Sequence, residues 1–450
     1  MTQTLTASSH ARATLVLGLP LVGSHLAQMA LHVTDTLIVG RYGVTELAAV
    51  VLGSSSFFIV FILGAGFAQA VMPMVAAALG RGDEAQVRRD TRMGLWLSIG
   101  FGILALPLFW WSGAILRALG QQPDVAALAE VFLRIVGFGM IPALLVRVLT
   151  SFLAAQERTR AVLAVTLAAV AVNGVLCWAL VFGAWGAPEL GVAGSAIATV
   201  AVQVMTCAAL AVYAARAPGL RRFRLFQRFW RADPQALRQV FRLGWPIGLT
   251  SVAEGGLFQA SVLMMGVIGT VELAAHGIAI QVASITFMVH VGLSSAATVR
   301  TGRALGRGDR AGLRLGARVA ILLSLGVGLA TVALFLSVPG AIVGLFLNPA
   351  DPGAAAIVAF GTVLLAFAAA FQVADAMQVM ALGLLRGVQD TRIPMVLAVV
   401  SYWVIGIPSS YVLAFPLGLG GVGLWTGLVI GLTVAAVLLM ARFWRRLPSG

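Results

Sequence analysis

Twelve apolar stretches, each long enough to cross a membrane, follow one another along the 450-residue chain with short polar breaks between them. Because a helix needs about 20 mostly apolar residues to cross the hydrocarbon core of a bilayer, each stretch predicts one membrane-spanning helix. Hydrophobic residues make up 60% of the chain and charged residues 10%, which excludes an ordinary soluble domain. The predicted fold class is an all-α polytopic membrane protein with spans at 13–39, 47–77, 93–113, 127–153, 161–185, 190–214, 240–268, 273–299, 315–338, 355–384, 393–414 and 418–441.

The 30 basic residues are all arginine, and their distribution predicts how the chain crosses the membrane. All but four lie at the termini or in and beside the even-numbered breaks, the exceptions being Arg41, Arg117, Arg134 and Arg147. Since cytoplasmic loops carry the excess of positive charge, both termini are expected in the cytoplasm. Topology therefore explains the net charge of +14, and no nucleic-acid partner is expected. Residues 1–12 show no pattern of a removable signal peptide, so the first span is expected to direct its own insertion.

The chain repeats itself after 226 residues. LGLP at 17–20 returns as LGWP at 243–246, and the same displacement carries ELAA at 46–49 onto 272–275, ALGRGD at 78–83 onto 304–309, and Pro123 onto Pro349. The repeat predicts two six-span halves of the same orientation, an arrangement that places a cavity between them in transporters. We expect two pseudo-symmetric six-helix lobes around a central cleft, an N-terminal lobe at 1–214 and a C-terminal lobe at 239–450, joined by a linker at 215–238.

The cytoplasmic linker is rich in arginine and also carries apolar side chains, at Phe223, Leu225, Phe226, Phe229 and Trp230. This composition predicts an amphipathic helix that lies on the anionic inner leaflet. Pro20 and Pro246 occupy equivalent places in spans one and seven, where each removes a backbone hydrogen bond. Both are expected to bend their helices, with a role in conformational change.

Three carboxylates lie well inside predicted spans, where an ionised side chain costs at least about 2.5 kcal/mol and usually serves function, whereas a fourth, Glu130, lies near the end of span four. Asp35 lies towards the outer end of span one, Glu254 near the middle of span seven, and Asp375 within span ten. No arginine lies at helical spacing from them within their own predicted spans. Each is expected to hold a proton or to bind a cation with oxygen ligands from neighbouring helices. The structural alternative is a protonated carboxyl group that donates to a backbone carbonyl.

Other polar residues in the spans widen the set of candidates. Asn173 lies in span five, and Ser195 and Thr199 lie one helical turn apart in span six. Four histidines are candidates for proton relay or for hydrogen-bonded packing: His25, His32, His276 and His290. The chain has no HExxH, no GxSxG, no cysteine and histidine metal pattern, and no lysine for a Walker A loop. We expect no enzyme activity and no cofactor, so that any uphill transport depends on a coupling ion.

Four segments together resemble the multidrug and toxic compound extrusion (MATE) transporters, in particular their NorM-type branch. They are LGLP with HVTDTLIVGRYG in span one, VAEGGLF in span seven, ELAAHGIAIQVASITFMVHVGLSSAATVRTGRALG at 272–306, and DAMQVMALGLLRGVQDTRIPM at 375–395. The resemblance covers nearly the whole chain and implies two lobes that form a V around a cleft. It also implies export of organic cations and drugs across the inner membrane, driven by inward H⁺ or Na⁺. We expect small cationic or amphipathic substrates and a monomer in the lipid bilayer.

In the C-terminal lobe, the resemblance assigns Glu254 and Asp375 to a carboxylate pair implicated in cation coupling, which makes them one candidate Na⁺ site. Gln281, within the matched block at 272–306, is a further candidate for ion coupling or substrate binding. Phe371 stands one turn before Asp375, where sodium-linked relatives carry a tyrosine. The missing hydroxyl makes H⁺ coupling more plausible but leaves both ions open.

In the N-terminal lobe, Asp35, Asn173 and Thr199 match a polar cluster of the family, and Ser195 takes the small-residue position beside it. Asp35 and Asn173 form the second candidate Na⁺ site. Cys177 stands one turn after Asn173, where relatives place asparagine or aspartate. This departure again removes an oxygen ligand.

Two other functions remain as alternatives. A flippase of lipid-linked oligosaccharides or lipids, from the same superfamily, would need basic residues for pyrophosphate, and Arg134 and Arg147 in span four are the candidates. A membrane-embedded enzyme or a sensor scaffold is disfavoured by the missing catalytic patterns.

The two repeats differ in the positions of their buried acidic side chains. The displacement of 226 residues maps Glu254 onto Gln28 and Asp35 onto Ser261. Each lobe therefore has a carboxylate at a depth where the other lobe has a neutral residue. We predict that Glu254 forms an ion site particular to the C-terminal lobe and paired functionally with Asp375.

Overall fold

The computed structural model describes residues 6–348 and 352–447, and within them it contains twelve long helices and no β-strand. In chain order they are α1 (Ala7–Tyr42), α2 (Val44–Arg81), α3 (Glu84–Trp110), α4 (Pro123–Ala155), α5 (Thr159–Phe182), α6 (Gly191–Arg216), α7 (Pro234–Ile268), α8 (Thr270–Arg307), α9 (Arg310–Ser337), α10 (Ala354–Gly387), α11 (Arg392–Ala414) and α12 (Gly420–Arg446). Each coincides with one predicted span, so the all-α polytopic prediction is confirmed.

Many helices are longer than the apolar stretches that predicted them. Helix α2 has 38 residues, or about 57 Å at a rise of 1.5 Å per residue, against a hydrocarbon core about 30 Å thick. Hydropathy detects only the part of a helix that lies in lipid, so its polar ends were missed. Two short helices, Ser112–Ala118 and Pro339–Gly344, follow α3 and α9. Pro349 and Asp351, which lie in a predicted break, fall outside the described residues.

The repeated ALGRGD segment is the junction between two helices in each half. Gly82 and Gly308 end α2 and α8 with φ of +74° and +69°, a conformation that strongly favours glycine. The next residues, Asp83 and Asp309, each accept a hydrogen bond from the backbone N–H three residues on and so cap α3 and α9. In each half, this repeated motif therefore ends one helix and begins the next.

By internal contacts, the chain divides into two units: Gly23–Gly248, and the residues up to Val22 together with those from Leu249 onward. Both cuts fall inside helices, two residues after Pro20 in α1 and two residues after Pro246 in α7. These boundaries differ from the predicted lobes at 1–214 and 239–450, because the first parts of α1 and α7 each pack with the other half of the sequence. The helical assignment runs unbroken through both prolines.

Repeat-related glycines explain this exchange of helix starts. In the first unit, a Cβ atom added to Gly66 of α2 would overlap the backbone of Gly244 and Gly248 in α7. In the second unit, a Cβ atom on Gly292 of α8 would overlap Val22 of α1. Gly66 and Gly292 are 226 residues apart, as are Val22 and Gly248. Small residues thus allow the same close helix approach in each unit.

Replacement of Gly66 by alanine is expected to destabilise the protein by about 1–3 kcal/mol, the usual cost of forcing an extra carbon into a packed interior. Gly100→Ala in α3 is the matched control, since a Cβ atom there would meet nothing within 4 Å. Alanine at that position should stabilise the helix by about 0.5–1 kcal/mol. Thermal unfolding of both variants in detergent tests the contact, and equal midpoints would contradict it.

The amphipathic helix predicted for the linker is absent. Between α6 and α7 the chain forms a short 3₁₀ turn at Arg221–Phe223 followed by further turns, and Phe223 is buried. Helix α3 holds this segment: the Arg92 guanidinium donates to the Arg228 carbonyl at 2.9 Å, and the Trp96 indole to the Phe229 carbonyl at 3.0 Å. Part of the apolar surface predicted to face lipid is therefore used in packing against the protein's own helices.

Candidate functional site

The first unit holds a buried polar cluster around Asp35. Asn173 of α5 donates its amide N–H to Oδ1 of Asp35 on α1 at 2.6 Å, and both side chains are buried. The thiol of Cys177 and the hydroxyl of Thr199 interact with the same carboxyl group. The structure therefore brings together Asp35, Asn173 and Thr199, as predicted from the family resemblance.

Ser195 lies behind this cluster. Its side chain interacts with the Cys177 thiol, and its backbone carbonyl accepts the Thr199 hydroxyl at 3.0 Å. Cys177 therefore connects Asp35 to Ser195. The Oδ1 atom of Asn173 is buried and has no hydrogen-bond partner among the described residues. An unsatisfied buried acceptor beside a carboxylate suits the binding of a cation.

The second unit holds a separate cluster in which Gln378 connects three helices. Its Nε2 atom donates to Oε1 of Glu254 on α7 at 3.4 Å and to the hydroxyl of Tyr402 on α11 at 2.5 Å. Asp375 lies one turn before Gln378 on α10 and is 1% exposed. Its Oδ1 atom, like Oε1 of Gln378, is buried with no hydrogen-bond partner in the described chain. Glu254 and Asp375 therefore belong to one polar cluster, to which Gln378 and Tyr402 are unpredicted additions.

Arg386 is the third charged group of this cluster. It interacts electrostatically with Glu254 and with Tyr402. The predicted span ended at residue 384 and left this arginine in a cytoplasmic break, whereas α10 continues to Gly387 and holds it at the cluster. Arg386 therefore offsets the charge of Glu254 from a different helix, a partner that a comparison within each carboxylate's own helix could not reveal.

A local change of helix type places Tyr402. Residues Val400–Gly406 of α11 are π-helical, and Tyr402 within them is fully buried. Pro408 lies two residues after Gly406, the end of this segment. Because proline has no N–H to donate to the carbonyl four residues before it, it disturbs the α-helical pattern. Single π-turns occur often at functional sites. A proline shortly after a tyrosine in a predicted span was the only sequence signal for this position.

Phe371 is a packing residue on α10 next to the cluster of the second unit. It lies one turn before Asp375 and is 2% exposed. Its ring meets Phe258 and Trp425 edge-on, at centroid distances of 5.9 and 5.6 Å. Phe371 therefore holds α10 in place through apolar contacts and offers no oxygen ligand.

His276 is fully satisfied and does not need to relay protons. The Trp425 indole donates to His276 Nδ1 at 3.0 Å, and Nε2 of the histidine lies 3.2 Å from the Ser261 hydroxyl. Because an indole N–H only donates, Nδ1 accepts and Nε2 carries the proton. The Ser261 hydroxyl in turn donates a hydrogen bond to the Phe258 carbonyl at 2.6 Å. Ser261 is the repeat equivalent of Asp35, so a neutral network stands in the second unit where the first has its carboxylate.

The other histidines lie apart from the two clusters. His25 and His32 interact electrostatically with Arg147 in the first unit. In the second unit, His290 Nδ1 lies 2.9 Å from the Ser324 hydroxyl. None of the three shares a hydrogen bond with the clustered carboxylates in the described chain.

The two arginines of α4 differ in their partners. Arg134 forms an ion pair of 2.5 Å with Glu130, which Arg117 also approaches at 3.5 Å. Arg147 lies 5.9 Å from the centre of the Phe61 ring and pairs with no carboxylate of the described residues. Arg134 is therefore neutralised, whereas Arg147 keeps its positive charge.

The remaining predicted residue, Gln281, lies half-buried on α8. It forms no hydrogen bond with either cluster in the described part of the chain. Its role stays a prediction. The conformational roles of Pro20 and Pro246 also stay predictions, although both lie two residues from the points where α1 and α7 pass from one unit to the other.

Twelve spans with carboxylates buried among them are typical of a membrane transporter. The MatE family model matches residues 20–179 and 246–412. Probable multidrug resistance protein NorM of Rhizobium meliloti (strain 1021) is 48% identical over 442 residues, which cover 98% of this chain and 94% of that protein. The protein of the same name from Agrobacterium fabrum (strain C58) is 47% identical over 435 residues, with coverage of 97% and 94%.

A solved structure described as the outward-facing conformation of a multidrug resistance MATE family transporter of the MOP superfamily is similar in fold. Its TM-score is 0.88 at 20% identity, over 97% of this chain and 96% of that one. The chain belongs to the MatE family.

Proposed function

We propose that this protein is an antiporter that exports cationic and amphipathic drugs in exchange for H⁺ or Na⁺. The names of its relatives support the multidrug substrate class. One observation carries the proposal: each unit buries a carboxylate next to a polar oxygen that lacks a hydrogen-bond partner in the described chain. Such a group can gain and lose a positive charge inside the membrane, which a coupled carrier requires.

The charges of the second unit define what it would take up. Glu254 and Asp375 bring two negative charges when ionised, and Arg386 brings one positive charge. One further positive charge makes this cluster neutral, and a neutral cluster avoids most of the cost of burying charge. We therefore expect the cluster to bind one proton or one Na⁺ per cycle, with Asp375 as the acceptor because its Oδ1 atom is buried and open.

The first unit would bind its ion differently. Among the described residues, Asp35 interacts with Asn173, Cys177 and Thr199 and with no arginine. A single carboxylate among neutral groups also needs one positive charge for neutrality. Because the two clusters differ in composition, we expect them to have different functions. The cluster of the second unit would bind the coupling ion, and the cluster around Asp35 would bind either the ion or a drug cation.

Transport by the purified protein under imposed gradients tests the proposal. Proteoliposomes that hold a fluorescent organic cation should lose or accumulate it when a proton or sodium gradient is imposed, and only one of the two gradients should drive most of the flux. The expected stimulation is at least tenfold over vesicles without a gradient. Equal flux with and without either gradient would contradict ion coupling, and no cation flux at all would contradict drug export.

A flippase of lipid-linked oligosaccharides is the second candidate, and Arg147 is the observation that favours it. This arginine keeps its charge beside His25 and His32, and such a basic group suits pyrophosphate. Arg134 adds nothing to that argument, because Glu130 neutralises it. Movement of a lipid-linked sugar by proteoliposomes that fail to move organic cations would decide for the flippase.

For the membrane orientation, we propose an inner-membrane monomer with both termini and the arginine-rich breaks in the cytoplasm. The linker between α6 and α7 would then lie on the cytoplasmic side. Reporter fusions at residues 220 and 419 distinguish the orientations, since only a cytoplasmic reporter should be active at the first position and only an external one at the second.

A further inference from the structure

An apolar groove runs along the second unit on helices α9, α10 and α12. It has a volume of about 810 Å³. Helix α10 packs against both α9 and α12. Its small residues Ala370 and Ala374 line the groove between the larger side chains of Leu322 on α9 and Val437 on α12. Small residues on the middle helix thus leave a depression between its two neighbours.

The length of the groove matches one leaflet of a bilayer. Its lining on α12 extends from Thr433 to Trp444. From the first of these residues to the last there are eleven steps, which rise about 16 Å at 1.5 Å per residue. Half of a hydrocarbon core about 30 Å thick is about 15 Å. All three helices are long and apolar enough to span a membrane, so the groove has the dimensions to hold one acyl chain along its length.

One end of the groove carries a positive charge. Arg318 of α9 is exposed, and its guanidinium lies 5.9 Å from the centre of the Trp444 ring. It pairs with no carboxylate of the described residues. Arg442 and Arg446 at the same end of α12 differ, because both bind Asp390, at 2.9 and 3.1 Å. Arg318 is therefore the groove-lining arginine that is left to bind an external anion.

We propose that this groove is a binding site for an anionic phospholipid. The phosphate lies at Arg318, beside Trp444, whose amphipathic ring suits the level of the headgroups. One acyl chain follows the groove past Ala374 and Ala370 between Leu322 and Val437. The charge at Arg318 selects an anionic headgroup and repels a cationic drug, which separates this site from a substrate site.

The bound lipid would touch the helix that carries the ion cluster. Ala374 and Met377 line the groove, and the residues that follow each of them, Asp375 and Gln378, belong to the cluster. Neighbouring residues on a helix point about a quarter turn apart, since 3.6 residues complete one turn. A lipid in the groove therefore packs against α10 directly beside the face that holds the carboxylates.

Lipid binding to the purified full-length protein tests the site independently of transport. The protein in detergent is titrated with phosphatidylglycerol or with phosphatidylcholine, and the first bound lipid is measured by native mass spectrometry. Wild type should bind phosphatidylglycerol more tightly. Arg318→Gln should weaken phosphatidylglycerol about fivefold and leave phosphatidylcholine unchanged, since one arginine near anionic lipid contributes about that factor. Ala370→Phe, which fills the groove, should weaken both lipids at least tenfold.

Two variants serve as matched controls. Arg160→Gln removes an exposed arginine at the start of α5, and Ala330→Phe adds the same bulk at an exposed position of α9 outside the groove. Both should bind lipid like wild type. Equal affinity of wild type for the two lipids, or unchanged phosphatidylglycerol binding by Arg318→Gln, would overturn the anionic headgroup. Tight binding by Ala370→Phe would overturn the groove, and so would displacement of the lipid by a cationic drug.

Discussion

Replacement of Asp375 by asparagine is expected to abolish ion-driven export, lowering the initial rate of organic-cation transport at least 100-fold, to the level of vesicles without protein. Asparagine keeps the size and shape of the side chain, so the packing of α10 should survive. It cannot bind and release a proton, and it brings no charge to hold Na⁺. The substitution therefore removes the ability of residue 375 to bind a proton or a sodium ion, which the coupling step requires.

The measurement is gradient-driven transport of a fluorescent cation in proteoliposomes, with the amount of folded protein checked by size-exclusion chromatography. Asp124→Asn is the matched control, because Asp124 is an exposed carboxylate in the first turn of α4. It should transport like wild type. Wild-type rates from the Asp375→Asn protein would remove Asp375 from the mechanism and leave the Asp35 cluster to carry the coupling.

Removal of Arg386 alone is expected to destabilise the second unit strongly. In the Arg386→Gln protein, Glu254 loses the positive charge that offsets it inside the membrane. Breaking a buried ion pair by removing one partner costs about 3–5 kcal/mol, and the half-buried positions of Glu254 and Arg386 place the expected cost near 3 kcal/mol. The thermal midpoint in detergent should fall accordingly.

A second substitution should restore much of that loss. In the double variant Glu254→Gln with Arg386→Gln, one negative and one positive charge are removed together, so we expect at least half of the lost stability to return. Arg160→Gln is the control for loss of an exposed arginine. If the double variant is as unstable as the sum of the two single changes, Arg386 and Glu254 do not act as a pair.

The fold could be predicted almost completely, because a span must be apolar over about 20 residues and hydropathy reports that directly. The conformation of the linker between α6 and α7 could not be predicted from the sequence. Its apolar residues suit a membrane-surface helix by composition, but Phe223 is buried and the carbonyl groups of Arg228 and Phe229 are held by Arg92 and Trp96. These partners lie more than 130 residues away in sequence, and no local pattern indicates them.

The residues of the candidate site also fall into those that the sequence predicted and those that it did not. Asp35 and Asn173 were predicted to lie together through the family resemblance, and their hydrogen bond of 2.6 Å agrees with that prediction. Gln378 is neutral, so the insertion cost that singled out the carboxylates gave no reason to choose it. Tyr402 depends on a π-helical segment, and Arg386 on where α10 ends. Helix type and helix ends are set by local backbone geometry, which hydropathy does not resolve.

The exchanged starts of α1 and α7 bear on how such a chain could arise. Each unit is completed by a helix segment that the sequence assigns to the other repeat, through the contacts of Gly66 with Gly248 and of Gly292 with Val22. A single six-helix ancestor would therefore have lacked part of its own packing and would have matured only as an interlocked pair of identical chains. Gene fusion converts that concentration-dependent pairing into an event within one polypeptide. After fusion the two copies no longer have to be identical, which allows one half to carry Asp35 where the other carries the neutral Ser261.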